Sequence, residues 1–228
     1  MNSANESYLN HTRIWNALGL MKETVEERIK HMEEMKKDTE EGRQIRNAFR
    51  EAVEGSQFEY SGVGIEMNQR YYSSSSSANA AVYTEDQGEA PKFTEDTTLN
   101  YQPTTYPGAR VPHAWLNKAV ATDPISTIHL TGHGRFTLLT GIGGESWRSA
   151  AANVSQRLGV EIKVISIGFR QDFEDIYFDW SRLRGVEESG CVLVRPDRFV
   201  AWRSKTALKD DVNGEKLLNV FKKILSVE

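Results

Sequence analysis

Apolar positions in the first fifty-five residues recur at helical spacing. Met21, Val25, Ile29 and Met32 are separated by four, four and three residues, which predicts one apolar stripe on a helix. Asp38 and Glu41 have the spacing of a capping box and predict the start of a second helix. Ile45, Phe49 and Val53 continue as its buried face, and Gly55 can end it. Charged runs such as Glu33-Glu34-Met35-Lys36-Lys37 read as solvated surface. Residues 56–73 carry Phe58, Tyr60, Val63 and Ile65 in a poor alternation broken by Gly62 and Gly64, which predicts one or two short strands. Ser73 to Ser77 is a run of five serines, and a polar stretch follows from Thr84 to Asn100. This part reads as a loop or linker, too weakly apolar to build a core.

The pattern changes after Tyr106. Ser126–Leu130 alternates like a short strand, and Phe136–Thr140 is an apolar run of strand length. Trp147, Ala151, Val154 and Leu158 predict a helix that Gly159 stops. Val160, Ile162 and Val164 alternate within a strand over 160–167. Residues 173–184, with Phe173, Ile176, Phe178 and Trp180, read as a poor helix or mixed segment. Cys191–Val194 and Phe199–Trp202 read as strands joined through Arg195-Pro196-Asp197-Arg198, and so short a connection predicts an antiparallel hairpin. Asn213 can cap a last helix with Leu217, Leu218, Phe221, Ile224 and Leu225 turned inward. A helix between the strands at 136–140 and 160–167 makes that pair parallel. The predicted class is therefore α/β: a thioredoxin-like C-terminal domain with a mixed sheet in the order βαβαββα, preceded by a helical segment. Thioredoxins carry Cys-x-x-Cys after the first strand of this series. Here that loop is Gly141-Ile142-Gly143-Gly144-Glu145-Ser146-Trp147, without cysteine. Disulfide exchange needs an attacking thiolate and a resolving partner, so the reading points away from it.

Composition narrows the function further. The chain has 228 residues, enough for one large or two small domains. A net charge of −4 gives no electrostatic case for nucleic acid or an anionic membrane. No apolar stretch approaches the roughly 18 residues of a membrane span. The first residues, Met1 to Glu6, have neither a basic nor an apolar signal region. Cys191 is the single cysteine, which excludes an internal disulfide and fits a reducing compartment. The expected location is cytoplasmic.

Several constellations invite chemistry and decline it. His129 and His133 are four residues apart, but a turn containing Gly132 and Gly134 intervenes, and that spacing shares a face only on a helix. Glu145-Ser146 reads as a helix start favoured by the macrodipole. No strand–G-x-S-x-G–helix elbow is present. Cys191 beside Val192, Leu193 and Val194 reads as a small buried hydrophobe. Asp172, Glu174 and Asp175 read as a solvated loop. Gly141-x-Gly143-Gly144 lacks the third glycine and the later acidic residue of a dinucleotide fingerprint, and reads as a turn into a helix. On this reading no residue is assigned as catalytic, cofactor-binding or metal-ligating.

Longer strings carry a resemblance. Pro107-Gly108-Ala109-Arg110-Val111-Pro112-His113-Ala114-Trp115-Leu116 is similar to the P-G-x-R-x-P-H-x-W-L segment of flavin-dependent aromatic-ring hydroxylases of the phenol and dichlorophenol monooxygenase type. Phe136-Thr137-Leu138-Leu139-Thr140-Gly141, then Trp147 and Ala150-Ala151, resemble the same proteins. So does Gly190-Cys191-Val192-Leu193-Val194-Arg195-Pro196-Asp197-Arg198-Phe199-Val200-Ala201-Trp202-Arg203. Upstream, Gly42-Arg43, then Gly62 to Arg70-Tyr71 and the serines after it, resemble the family stretch that follows the flavin domain. The resemblance implies FAD and NAD(P)H for a complete family enzyme that hydroxylates phenolic rings. It implies no cofactor for this chain alone, because the family's flavin-binding segments lie upstream of these strings. The expected organisation is a helical segment over 1–72 resembling the end of a flavin domain, a linker over 73–105, and a thioredoxin-like domain over 106–228. A truncated gene product, half of a split enzyme and a stand-alone protein all fit. The alternative reading is a non-catalytic interaction or oligomerisation module. The expected partners are a second copy or a flavin domain.

Overall fold

The computed structural model describes residues 3–72, 82–93, 96–207 and 214–227. The serine run and the expected cap Asn213 lie outside them. The chain forms two compact units, Met1–Glu66 with Glu95–Tyr101, and Met67–Thr94 with Gln102–Glu228.

The first unit is helical. Helix α1 (Ser3–Ala17) and helix α2 (Val25–Met35) both pack on helix α3 (Glu40–Gly55). Thr24 and Glu27 cap α2 reciprocally: Glu27 N donates to Thr24 Oγ1 at 3.2 Å and Thr24 N to Glu27 Oε2 at 3.1 Å. The cap of α3 falls one residue later than the sequence predicts. Thr39 Oγ1 accepts from Gly42 N at 3.0 Å, while Asp38 pairs with Arg43 at 2.7 Å. Helix α3 buries Gly42, Ile45 and Ala52, whereas Val53 is exposed. Position i+7 returns to the face of Ile45, and i+8 lies farther round. The stripe on α2 is not buried either: Val25, Ile29 and Met32 are 60%, 58% and 39% exposed. The short strands expected over 56–73 are instead two helical turns, α4 (Gln57–Tyr60) and α5 (Val63–Met67). Phe58, Tyr60, Val63 and Ile65 all face solvent, so among the described residues their alternation has no sheet to serve. Gly64 is required where it stands, because a Cβ there would meet Thr97 O at 2.1 Å.

The second unit is built on a four-stranded sheet in the order β4-β3-β6-β7. Its strands are β3 (Phe136–Thr140), β4 (Ile162–Ser166), β6 (Cys191–Val194) and β7 (Val200–Ser204). Strands β3 and β4 are parallel; β6 runs antiparallel to both β3 and β7. This is the thioredoxin-like arrangement. Side-chain alternation splits the interior into two clusters. Leu138 and Leu193 join Trp147, Ala151 and Val154 of α7 (Ser146–Leu158) and Leu217 and Phe221 of α9 (Glu215–Leu225). Leu139, Val192 and Val194 join Leu116, Leu130, Ile165 and Trp180.

That second cluster is roofed by short elements. Strands β1 (Trp115–Asn117), β2 (Ile125–Ser126) and β5 (Glu174–Asp175) form a small antiparallel sheet in the order β2-β1-β5. Helix α6 (Thr127–Leu130) and helix α8 (Asp179–Leu183) complete the roof. The strand predicted over Ser126–Leu130 thus ends at Ser126. Its hydroxyl accepts from Ile128 N at 3.1 Å and starts a helical turn that buries Thr127 and Leu130.

The strings quoted above are joined through β7. Gly108 N donates to Val200 O at 2.8 Å, Val200 N to Ala109 O at 2.8 Å, and Val111 N to Arg198 O at 2.9 Å. The Pro107–Leu116 string therefore pairs with the second strand of the hairpin. Part of the stretch read as linker also lies against β7. Val82 is fully buried, Tyr83 N donates to Ala201 O at 2.8 Å, and Trp202 Nε1 donates to Asp86 Oδ1 at 3.2 Å.

Candidate functional site

The parallel strands β3 and β4 end side by side, and the chain leaves β3 for β4 on one side but returns to β6 on the other. In open α/β sheets this reversal opens a crevice beyond the carboxyl ends of the strands. Two segments and the lead-in to β6 meet there: the loop after β3, the loop after β4, and Glu188–Gly190.

The glycine-rich loop after β3 is filled by the protein's own atoms. A Cβ on Gly144 would sit 2.0 Å from Thr140 Oγ1, and one on Gly141 would sit 2.6 Å from Glu188 O. Trp147 Nε1 donates to Ser189 O at 2.9 Å and Thr140 Oγ1 to Gly190 O at 2.7 Å. The glycines permit close packing of the loop on Thr140 and on the backbone of Glu188. Cys191 starts β6, is fully buried and stands opposite Thr140 and Ser204. Desolvation pushes its thiol far up, against weaker opposing effects of the Ser204 backbone and Lys216. Such a thiol is not a nucleophile at neutral pH.

Of the three acids after β4, Asp172 is exposed, as a solvated loop would have it, whereas Glu174 and Asp175 form β5 and are half-buried, which corrects the sequence reading for those two. Asp172 Oδ2 accepts from Ser166 N and Ser166 Oγ, each at 2.9 Å, and from Arg148 of α7. Burial raises its pKa, but the Ser166 and Arg148 hydrogen bonds outweigh that and hold it below the usual carboxylate range. Glu174 Oε1 accepts from Arg170 N at 3.0 Å, and Asp175 Oδ2 from Ser181 N at 2.8 Å. These acids order the turn that carries the chain from β4 into β5 and α8.

Between these loops lies a partly enclosed cavity of about 270 Å³, lined by Ile142, Ile167, Phe169, Phe178, Trp180 and Asp175 among others. Its rim is strained. Phe178, which lines the cavity, adopts left-handed backbone with φ of 58°, and so does Arg170, next in sequence to the lining residue Phe169, with φ of 55°. A bulky residue in that region costs energy that the surroundings must supply, and such strain concentrates at working sites. Phe169 and Phe178 are 72% and 68% exposed, while Trp180 forms the buried floor. A larger open trough of about 700 Å³ lies within the first unit, among Arg13, Ala17, His31, Gln44, Ile45 and Ala52. One ring nitrogen of His31 is engaged there by Ala17 O at 2.9 Å.

The two histidines weighed as ligands are placed apart in role. His129 lies on α6 and not at a strand end, and His133 Nε2 faces its carbonyl oxygen at 3.1 Å. Among the described residues no group of three or more His, Cys, Asp or Glu side chains is set to hold a metal. Glu145 is the N-cap of α7 but makes no side-chain capping bond. Sequence reasoning missed Phe169, Phe178 and the separate role of Asp175. No spacing signals a left-handed Phe or a contact between residues as far apart as Arg148 and Asp172.

Comparison with known proteins bears on what this body belongs to. Residues 104–226 match the family described as aromatic-ring hydroxylase, C-terminal. The chain is 38% identical over 208 residues to a phenol 2-monooxygenase from Pseudomonas sp. strain EST1001, covering 91% of this chain and 33% of that protein. It is 37% identical over 225 residues to a 2,4-dichlorophenol 6-monooxygenase from Delftia acidovorans, covering 98% and 36%. A crystal structure of the flavin-dependent monooxygenase PieE in complex with FAD and substrate superposes with a TM-score of 0.76 at 38% identity, over 97% of this chain and 36% of that one. The chain spans about a third of the length of these relatives. Among the described residues no helix is long and apolar enough to cross a membrane. With the Pro107–Leu116 string and the hairpin string paired in one sheet, the chain belongs to the aromatic-ring hydroxylase C-terminal family.

Proposed function

We propose that this chain is the C-terminal part of an FAD-dependent monooxygenase acting on phenolic or other aromatic substrates, and that it works by packing against a flavin domain it does not itself contain. The observation that carries this reading is coverage: nearly the whole chain aligns with a third of each monooxygenase. The packed loop Gly141–Trp147 supports placing FAD elsewhere, since its glycines meet protein backbone and side chains. Flavin chemistry, with NAD(P)H as reductant, belongs to the complete enzyme, and no step of it is assigned to these residues. Their contribution is the packed core of the second unit and an association surface in a cytoplasmic assembly. The uncovered face of Val25, Ile29 and Met32 supports association through the helical unit, with a flavin domain or a second copy.

The test is to coexpress the chain with the remaining two thirds of the Delftia acidovorans enzyme. The expected result is a complex that retains FAD through gel filtration and consumes 2,4-dichlorophenol with NAD(P)H, while the chain alone elutes colourless. Chain that elutes alone with a flavin spectrum would overturn the reading. The interaction-module reading, without catalysis, gains if a complex forms and the phenol is untouched.

A further inference from the structure

The main sheet of the second unit has two edges, and the described residues cover them unequally. Along β7, Gly108 N donates to Val200 O and Tyr83 N to Ala201 O, each at 2.8 Å. Along β4 only the carboxyl end is closed. Ser166 N donates to Asp172 Oδ2 at 2.9 Å, Ser166 O accepts from Phe173 N at 3.1 Å, and Arg148 Nη1 donates to Val164 O at 3.4 Å. Ile167 N points the other way, to Thr140 O of β3 at 2.8 Å. Peptide groups alternate in direction along a strand, so Ile162 and Val164 turn theirs outward, as Ser166 does. Neither the backbone of Ile162 nor the N–H of Val164 has an outward hydrogen-bond partner among the described residues. An open strand edge of this kind is a template for another strand.

The side chains along the edge fit a second copy of themselves. Val160, Ile162 and Val164 are partly buried against the cluster under α7 and α9. Glu161 and Lys163 alternate with them and take the opposite face. Glu161 is 72% exposed and meets Arg135 only at 3.4 Å, and Lys163 makes no ion pair among the described residues. Consider two copies of β4 running antiparallel about a two-fold axis at Ile162. Ile162 then meets its counterpart, Val160 meets the second copy's Val164, and each Glu161 stands opposite the second copy's Lys163. Apolar meets apolar on one face and acid meets base on the other, and opposite charges directly across strands attract. An axis at Lys163 would instead set lysine against lysine, so the same charges reject that register. A lysine on an edge ordinarily deters pairing; here Glu161 supplies its complement.

We propose that β4 is a self-association edge, at which two copies of this chain pair residues 160–164 antiparallel and join their four-stranded sheets into one. So short an edge gives a small interface, and a dimer that dissociates at roughly micromolar concentrations or above is expected. The inference rests on this edge alone and does not depend on the flavin reading.

The test follows the full chain by sedimentation velocity and by amide hydrogen exchange as its concentration rises. The amides of Ile162 and Val164 are expected to gain protection, while those of Lys163 and Ile165, turned toward β3, stay as they were. Glu161→Lys alone and Lys163→Glu alone should each weaken association about tenfold, because both cross-strand pairs become repulsive. An equimolar mixture of the two variants should associate again, since one carries two lysines on that face and the other two glutamates. A loss of folding cannot produce that recovery. Ile29→Glu should leave the protection at Ile162 and Val164 intact, which separates this edge from association through the helical unit. The proposal is overturned if those two amides stay unprotected at every concentration, if Ile29→Glu removes their protection, if neither charge swap weakens association, or if the mixture gains nothing over the single variants. Protection that appears only on adding the flavin portion of the Delftia acidovorans enzyme would give the edge to that partner and overturn the proposal as well.

Discussion

The first unit buries Ile45 and Ala52 along α3 and leaves Val25, Ile29 and Met32 of α2 in solvent. The second unit covers both faces of its sheet, with α7 and α9 on one side and the small sheet and α8 on the other. Both regions carry apolar stripes of similar sequence quality. What differs is the supply of opposing surfaces. Strand β6 is buried along its whole length because every face it turns has a neighbour. Helix α2 buries no residue, although its capping box is complete. Good local signals make a helix; burial needs a second surface, and only the second unit supplies enough of its own.

The sharpest way to break this contrast is to cut each core. Trp202 is fully buried, packs edge-on against Trp147 with ring centroids 5.8 Å apart, and donates its indole N–H to Asp86. Trp202→Ala is expected to cost about 3–5 kcal/mol in urea unfolding. A loss below 1 kcal/mol would mean the second unit is not the stable body described.

A smaller effect tests where that body begins. A fragment starting at Met67 keeps Val82 and the Tyr83 and Asp86 contacts to β7, and one starting at Gln102 loses them. The longer fragment is expected to be more stable by about 2 kcal/mol, the value of burying one Val side chain. Equal thermal midpoints would make residues 82–93 a mere spacer.

Acid titration probes the turn after β4. The folded pKa of Asp172 is depressed, so its contribution is fully present above the unfolded value of about 3.9 and is lost as pH falls through the lower folded value. The carboxylate is 44% exposed, so screening limits the effect to about 1 kcal/mol or less. Asp172→Asn should flatten the stability profile below pH 4 and lower stability at pH 7. A profile identical to that of the natural chain would remove Asp172 from the account.

The smallest change in stability is expected on α2. Ile29→Glu should shift the unfolding free energy by no more than about 0.5 kcal/mol, as exposed sites do. The same change should weaken association measured by light scattering. A loss comparable to Trp202→Ala would show that the stripe is buried after all, and the contrast between the units would fail.

The amino-acid sequence by itself determined the elements whose signals are local and mutually consistent. Phe136–Thr140, the helix stopped by Gly159 at φ 66°, and the hairpin of β6 and β7 all stand where spacing and turn residues put them. The missing dithiol and the long strings pointing to aromatic-ring hydroxylases were legible too, because each is a matter of residue identity. Only the tertiary structure decided what depends on partners distant in sequence. It turned the alternation at 58–65 into helical turns, because among the described residues no strand lies there to pair with it. It drew Asp172 to Arg148 and Ser166, it left Asp175 Oδ1 buried with no hydrogen-bond partner among the described residues, and it set Phe178 in left-handed backbone. Periodicity records which face of an element is apolar. Whether that face is covered, and which polar atom is stranded beside it, depends on the free energy of contacts formed when the whole chain closes.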